Sequence, residues 1–180
     1  MAHAVVRTDR LMGTDVRSML ESVLYLGSNG STPTDIDNGN VLKVGALNAI
    51  DAVSGVYERE VKVGSVPAAT TPLDEIVLIA TPEVMYDERK RSMTEFYNEA
   101  GRVCRGYHLH SGDIFSVTKD ALAFNTNEST DGKVGSVVEL KADTKLNVKT
   151  GSATASSTVV GKILAIDVVG RLTYYVIQVA

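Results

Sequence analysis

The stretch from Val134 to Val179 constrains the fold more than any other part of this sequence. Four short apolar segments, Val134–Lys141, Lys145–Lys149, Ser157–Val169 and Leu172–Val179, follow one another across Ala142-Asp143-Thr144, Gly151–Ser156 and Gly170-Arg171. Short β-branched segments separated by turn residues predict antiparallel strands closing into a small barrel or a sandwich. Gly151–Ser156, all small or polar, reads as a mobile connection. Aromatic residues are only 6% of the chain, with no tryptophan, so the core is built mainly from Val, Leu, Ile and Ala. Valine packs best on pleated surfaces, which points the same way.

Upstream, the reading is more mixed. Val41–Val44 and Val56–Val63 are strand-like. In the latter, Tyr57, Arg59, Val61 and Val63 share one face, and Glu58, Glu60 and Lys62 share a wet one. Glu75–Ala80 is a continuous apolar run ending before Pro82, as expected of a buried strand. Gly106–Val117 reads as two short strands around a Ser111-Gly112 turn. Two segments carry helical spacing: Val16, Met19, Leu20, Val23 and Leu24 predict a helix over 14–26, and Met93, Phe96, Tyr97, Ala100 and Val103 predict another over 92–103. Gly101 weakens the second, since glycine costs roughly 1 kcal/mol against alanine within a helix. The expected class is therefore α+β and β-rich, with antiparallel strands forming a barrel or sandwich at the carboxy end, two short helices and an extended amino-terminal arm. The arm is placed at 1–13 and a single β-rich domain at 14–180, with a sub-boundary in the polar loop 125–133.

Several function classes are excluded or disfavoured by composition. The chain has 180 residues, 18 basic and 22 acidic side chains, a net charge of -4 and a pI near 5.4. A general nucleic-acid binder needs a basic surface to displace counterions, so no direct nucleic-acid partner is expected. No apolar run reaches the roughly 20 residues of a membrane helix. Met1–Arg7 lacks the basic and long apolar regions of a secretory signal, so synthesis and retention in a cytoplasm are expected. The single cysteine, Cys104, excludes an internal disulfide and a multi-cysteine metal site.

The chemical motifs are sparse. Asp35–Asn40 resembles the start of a calcium loop, but its sixth and twelfth positions hold Asn40 and Ala46 where glycine and glutamate are required, so it reads as a turn. His108 and His110 would share a face on a strand but have no third ligand nearby in sequence. Cys104 is a nucleophile only if a histidine lies beside it; its neighbours favour a core position. Gly161-Lys162 lacks the upstream glycine of a phosphate-binding loop. No catalytic residues, metal ligands or cofactor are assigned, and the chain is not expected to be an enzyme.

Two features point to protein contact. The arm carries Val5, Val6, Arg7 and Arg10, with Arg17 just beyond, a basic and partly apolar exception in an acidic chain. Its backbone can add to a strand edge and its arginines can grip carboxylates. The alternative is that the arm packs on its own domain as an edge strand. Asp87, Glu88, Arg89, Lys90 and Arg91 switch sign within five residues, which fits either a solvated helix end or a patch facing a charged partner.

The ordered set Asp37-Asn-Gly-Asn-Val-Leu-Lys-Val-Gly45, Tyr57–Glu60, Ile79–Glu88, Phe96–Gly101, Gly112–Thr118 and Gly161–Gly170 resembles small head proteins of tailed bacteriophages that infect Gram-positive hosts, namely capsid decoration or cement proteins. The resemblance runs over most of the chain. It implies a structural protein made in the host bacterial cytoplasm, bound outside the capsid in the virion. It also implies the major capsid protein and a homotrimer of its own chain as partners. Another virion part, such as a head–tail connector or fibre-base protein, stands as the alternative. An enzyme using His108, His110 and Cys104 is the third reading.

Overall fold

The computed structural model describes residues 3–7, 20–51, 56–84, 93–124 and 132–180, with the backbone alone at 51 and 56–59. Its strands are β1 (Leu20–Tyr25), β2 (Val41–Asp51), β3 (Val56–Ser65), β4 (Ile76–Ile79), β5 (Cys104–His108), β6 (Ile114–Thr118), β7 (Leu122–Phe124), β8 (Val137–Glu139), β9 (Leu146–Lys149), β10 (Val159–Val169) and β11 (Leu172–Val179). Helix among these residues is limited to three single 3-10 turns, Leu73–Glu75, Met93–Glu95 and Lys119–Ala121. The chain is β-rich, as its composition predicts.

The strands form a closed barrel, β1-β3-β2-β4-β5, and a six-stranded sheet, β6-β11-β10-β8-β9-β7. Only β1–β3 and β7–β9 are parallel pairs. The barrel is thus built from residues 20–108, whereas the expected barrel or sandwich is at the carboxy end. The four carboxy-terminal segments do pair antiparallel with one another, but within an open sheet that also takes in β6 and β7.

β4 explains why Ile76-Val-Leu-Ile79 is apolar without alternation. Val77 and Ile79 pack inside the barrel with Val23, Tyr25, Leu42 and Cys104. Ile76 and Leu78 join the second core, with Val138, Ile163, Tyr175 and Ile177 of the sheet. A strand buried on both faces needs apolar residues at both parities. The barrel interior is narrow. A methyl group at Gly64 would lie 2.6 Å from Val23 Cγ1, and one at Gly106 2.8 Å from Val77 Cγ2. Close approach across the barrel thus requires glycine at these inward positions.

Neither expected helix is observed. Of 14–26, the described part is β1, and 14–19 lie outside the described residues. Val23 and Tyr25 are buried by alternation, whereas Leu20, on the supposed helical face, is exposed. β3 and β5 flank β1 and satisfy its backbone, and this tertiary pairing overrides a weak local period. Of 93–103, the described part of the second, only the turn Met93–Glu95 is helical. Asn98 leaves the helical path because its backbone exchanges hydrogen bonds with Ile36 in both directions, and Gly101 takes a positive φ of 79° in the turn that follows.

Gly151–Ser156, expected to be mobile, is tied to the sheet by a buried carboxylate. Glu139 is 1% exposed. It accepts hydrogen bonds from Asn147 Nδ2 (2.9 Å), Thr154 N (2.7 Å) and Thr154 Oγ1 (2.6 Å). Burial pushes its pKa up, but the bonds from Thr154 and Asn147 and the nearby Lys149 charge outweigh this and hold it below the usual carboxylate value. A carboxylate with a depressed folded pKa contributes stability above its unfolded pKa of about 4.3, and that stability is lost as pH falls through the folded value. Glu139→Gln brings an amide donor against these donors and should lower stability by about 2 kcal/mol at pH 7. Urea unfolding from pH 7 to pH 3 should show the gap to the native chain closing in the acid range. A constant gap would assign the loss to packing alone.

Candidate functional site

The histidines and the cysteine singled out by sequence do not converge. Cys104 is buried inside the barrel, and burial pushes its thiol up to about 12. It therefore stays protonated at neutral pH and cannot supply a thiolate. His108 is four residues further along the same strand, roughly 13 Å away at the usual strand rise.

His108 belongs to a charged cluster at one mouth of the barrel. Lys62 Nζ donates to Glu21 Oε1 at 2.6 Å, and His108 Nε2 lies 3.2 Å from the same oxygen but off the hydrogen-bonding line. β1 and β5 bring these groups together by pairing Glu21 with Gly106. Burial raises the Glu21 pKa, yet the Lys62 bond and the close Lys62 and His108 groups outweigh it and keep Glu21 ionised at lower pH than usual. Lys62, assigned by sequence to a wet face, reaches this cluster with a side chain that stays 40% exposed. His110 turns to another acid: its Nδ1 is 3.7 Å from Asp113 Oδ2, which also accepts the His110 backbone N–H. His108 and His110 both line an open cleft of about 400 Å³ with Leu73, Asp74, Leu109 and Ser111. Among the described residues no three potential ligands are grouped to hold a metal. The strands around Ser111-Gly112 do not pair; β5 belongs to the barrel and β6 to the sheet, so this turn passes between layers.

The amino-terminal contact residues are only partly where sequence placed them. Val5 and Val6 are fully buried in the chain's own core. Val6 bridges Val117 of β6, Thr118 N donates to Val5 O, and Arg7 N donates to Ser116 O. The arm, as far as it is described, is an edge strand of its own sheet, because two adjacent valines gain more from the groove beside β6 than from water. Arg7 lies over the Tyr174 ring, 5.5 Å from its centroid. Arg10, Arg17 and the charge patch Asp87–Arg91 lie outside the described residues, as does most of the proposed sub-boundary at 125–133.

Sequence reasoning missed what holds this segment. Asp35–Asn40, read as a plain turn, is a hub. Asp37 accepts from His3 Nδ1 (2.7 Å) and the Ala4 N–H, and the His3 ring stacks on Tyr97. Asn38 is fully buried; its amide bonds both ways with the Thr81 backbone and accepts from Asn98 Nδ2. Asp35 accepts from Ala100 N. The density of Asn and Asp was the available signal, since short polar side chains readily bond backbone groups.

Among the described residues, two β-ribbons carry five of the exposed large apolar side chains, and Leu20, Val84, Met93, Val103 and Val134 are exposed elsewhere. β2 pairs with β4 only at 41–43, and β3 pairs with β1 only at 61–64. Beyond these limits β2 and β3 pair only with each other among the described residues, and their register slips three times. This ribbon exposes Leu47 (40%) and Ile50 (64%). The tip of the β10–β11 hairpin exposes Leu164 (44%), Val168 (73%) and Val169 (50%). Isolated two-stranded ribbons are marginal in water, and clustered exposed apolar residues mark contact surfaces. No known protein family, curated protein or solved structure matches this chain.

Proposed function

We propose that this chain is a bacteriophage virion structural protein that binds the capsid exterior and reinforces contacts between major capsid subunits, as a decoration or cement protein, and not an enzyme. The observation that carries the reading is the pair of projecting ribbons with exposed Leu47, Ile50, Leu164, Val168 and Val169. The ordered segments quoted above supply the link to phage heads. Ribbons on a rigid core suit a protein that bridges neighbours: the core fixes the spacing, and each ribbon adapts to one subunit. A homotrimer at the capsid surface would bring several such contacts to bear at once and raise the effective concentration of each. Arg10, Arg17 and the patch Asp87–Arg91 remain part of the proposed contact surface; Val5 and Val6 do not.

The test is binding to capsids that lack the protein. Leu47→Asp combined with Ile50→Asp should leave the melting temperature within a few degrees and weaken capsid binding at least tenfold, about 1.4 kcal/mol. Virion imaging should show hundreds of copies spread over the head. A dozen or fewer copies at one vertex would identify a connector component, and unchanged binding by the double variant would overturn the ribbon as the contact.

A further inference from the structure

The two edges of β10 differ along its length. Over 159–162 it pairs with β8, and at Ile163 the backbone still bonds Gly135 and Ser136. From Leu164 onward only β11 lies beside it, and the other edge of 164–169 has no strand partner among the described residues. A register shift between Ile163 and Ala165 marks the point where the strand leaves the sheet. This stretch, Leu164-Ala-Ile-Asp-Val-Val169, is β-branched or apolar except for Asp167, which makes no hydrogen bond or ion pair with the described residues.

A second copy paired antiparallel about a twofold axis at Asp167 is a poor occupant. That register sets Ala165 opposite Val169, Ile166 opposite Val168 and Asp167 opposite Asp167. Directly opposed like charges destabilise a strand pair. The same carboxylate favours a strand with a cation at that position, where an opposite-charge pair contributes roughly 0.2–1 kcal/mol and fixes the register.

We propose that the edge of β10 along Leu164–Val169, unpaired among the described residues, is a strand-addition site for an extended segment of a partner protein that carries a lysine or arginine opposite Asp167 between β-branched residues. Backbone bonds supply the attachment, and Asp167 both selects the basic segment and opposes self-pairing centred on itself. The inference rests on the reading of the chain as a protein-binding component, but not on the partner being a capsid.

The test uses the full chain, labelled with 15N, and two capped pentapeptides: threonine-valine-lysine-valine-threonine and its counterpart with glutamate at the centre. The lysine peptide should shift amide signals of 164–169 and bind at least threefold more tightly than the glutamate peptide. Asp167→Lys should reverse that order, which a merely misfolded variant would not do. Equal affinities, shifts confined to other elements, or a concentration-dependent dimer through 164–169 would each overturn the proposal. These outcomes are independent of Leu47 and Ile50, so failure here leaves the capsid-binding test of the other ribbon standing.

Discussion

Removal of residues 1–7 is expected to lower the stability of the chain by about 3 kcal/mol, a fall of roughly 10 °C in Tm for a protein of this size. Val5 and Val6 are fully buried and Ala4 nearly so. Each valine contributes about 2 kcal/mol by leaving water, set against about 1–2 kcal/mol per residue to order the backbone. The surplus comes from the surroundings. Phe115 and Val117 lose their cover, and Thr118, Ser116 and Asp37 lose partners in the segment. Differential scanning calorimetry of the truncated and complete chains measures this directly. An unchanged Tm would restore the arm as an independent clamp. If capsid binding and Tm fall together, point variants at Leu47 and Ile50 are needed to separate contact from folding.

Gly161→Ala should be the most damaging single methyl group in the molecule, at about 3 kcal/mol or more. A Cβ at Gly161 would stand 2.0 Å from Gln178 O and 2.8 Å from Gln178 C. Both belong to the backbone of β11, the strand hydrogen-bonded to β10, so neither can rotate away. The register shift between Val159 and Gly161 places the glycine against its neighbour in this way. At Gly64 and Gly106 the obstacles are side chains of Val23, Leu42 and Val77, which can yield in part. At Gly112 nothing lies within 4 Å, and only the positive φ of 93° opposes alanine. Chemical denaturation of the four alanine variants should therefore rank the loss as Gly161 first, Gly64 and Gly106 next, and Gly112 last, at about 1 kcal/mol. A Gly161→Ala variant as stable as Gly112→Ala would show that β10 and β11 do not approach this closely.

Where burial leaves a regular trace, the sequence was legible. The uninterrupted Ile76–Ile79 run identified a strand covered on both sides, and the β8–β11 segments paired antiparallel as their spacing implied. Legibility failed where a short period fits two structures. Val23 and Leu24 suit a helical face, yet Val23 and Tyr25 suit a strand equally, and only β3 and β5, distant in sequence, decide between them. The same holds for Asn98, whose path is set by Ile36 some sixty residues earlier. Sequence places a barrel or sandwich at the carboxy end but does not show the barrel of β1–β5, because closure depends on β1 meeting both β3 and β5, and no local pattern encodes a meeting of that kind. The histidines read as a pair because they stand two apart, on one face of a strand; Glu21 and Asp113 draw them to separate partners.

β6 sits between two late arrivals. On one side lies β11, and on the other the segment around Val6, in which Val5 bonds Thr118, 113 residues downstream. At translation speeds of about 5–20 residues per second, the first-made of these residues wait several seconds before their docking groove exists. During that interval two adjacent valines are without their shelter, and the groove, once made, is open to any extended apolar peptide that reaches it first. The Asp37 contacts with His3 and Ala4, whose partner is made long before β6, hold the segment by its histidine and backbone rather than by hydrophobicity alone.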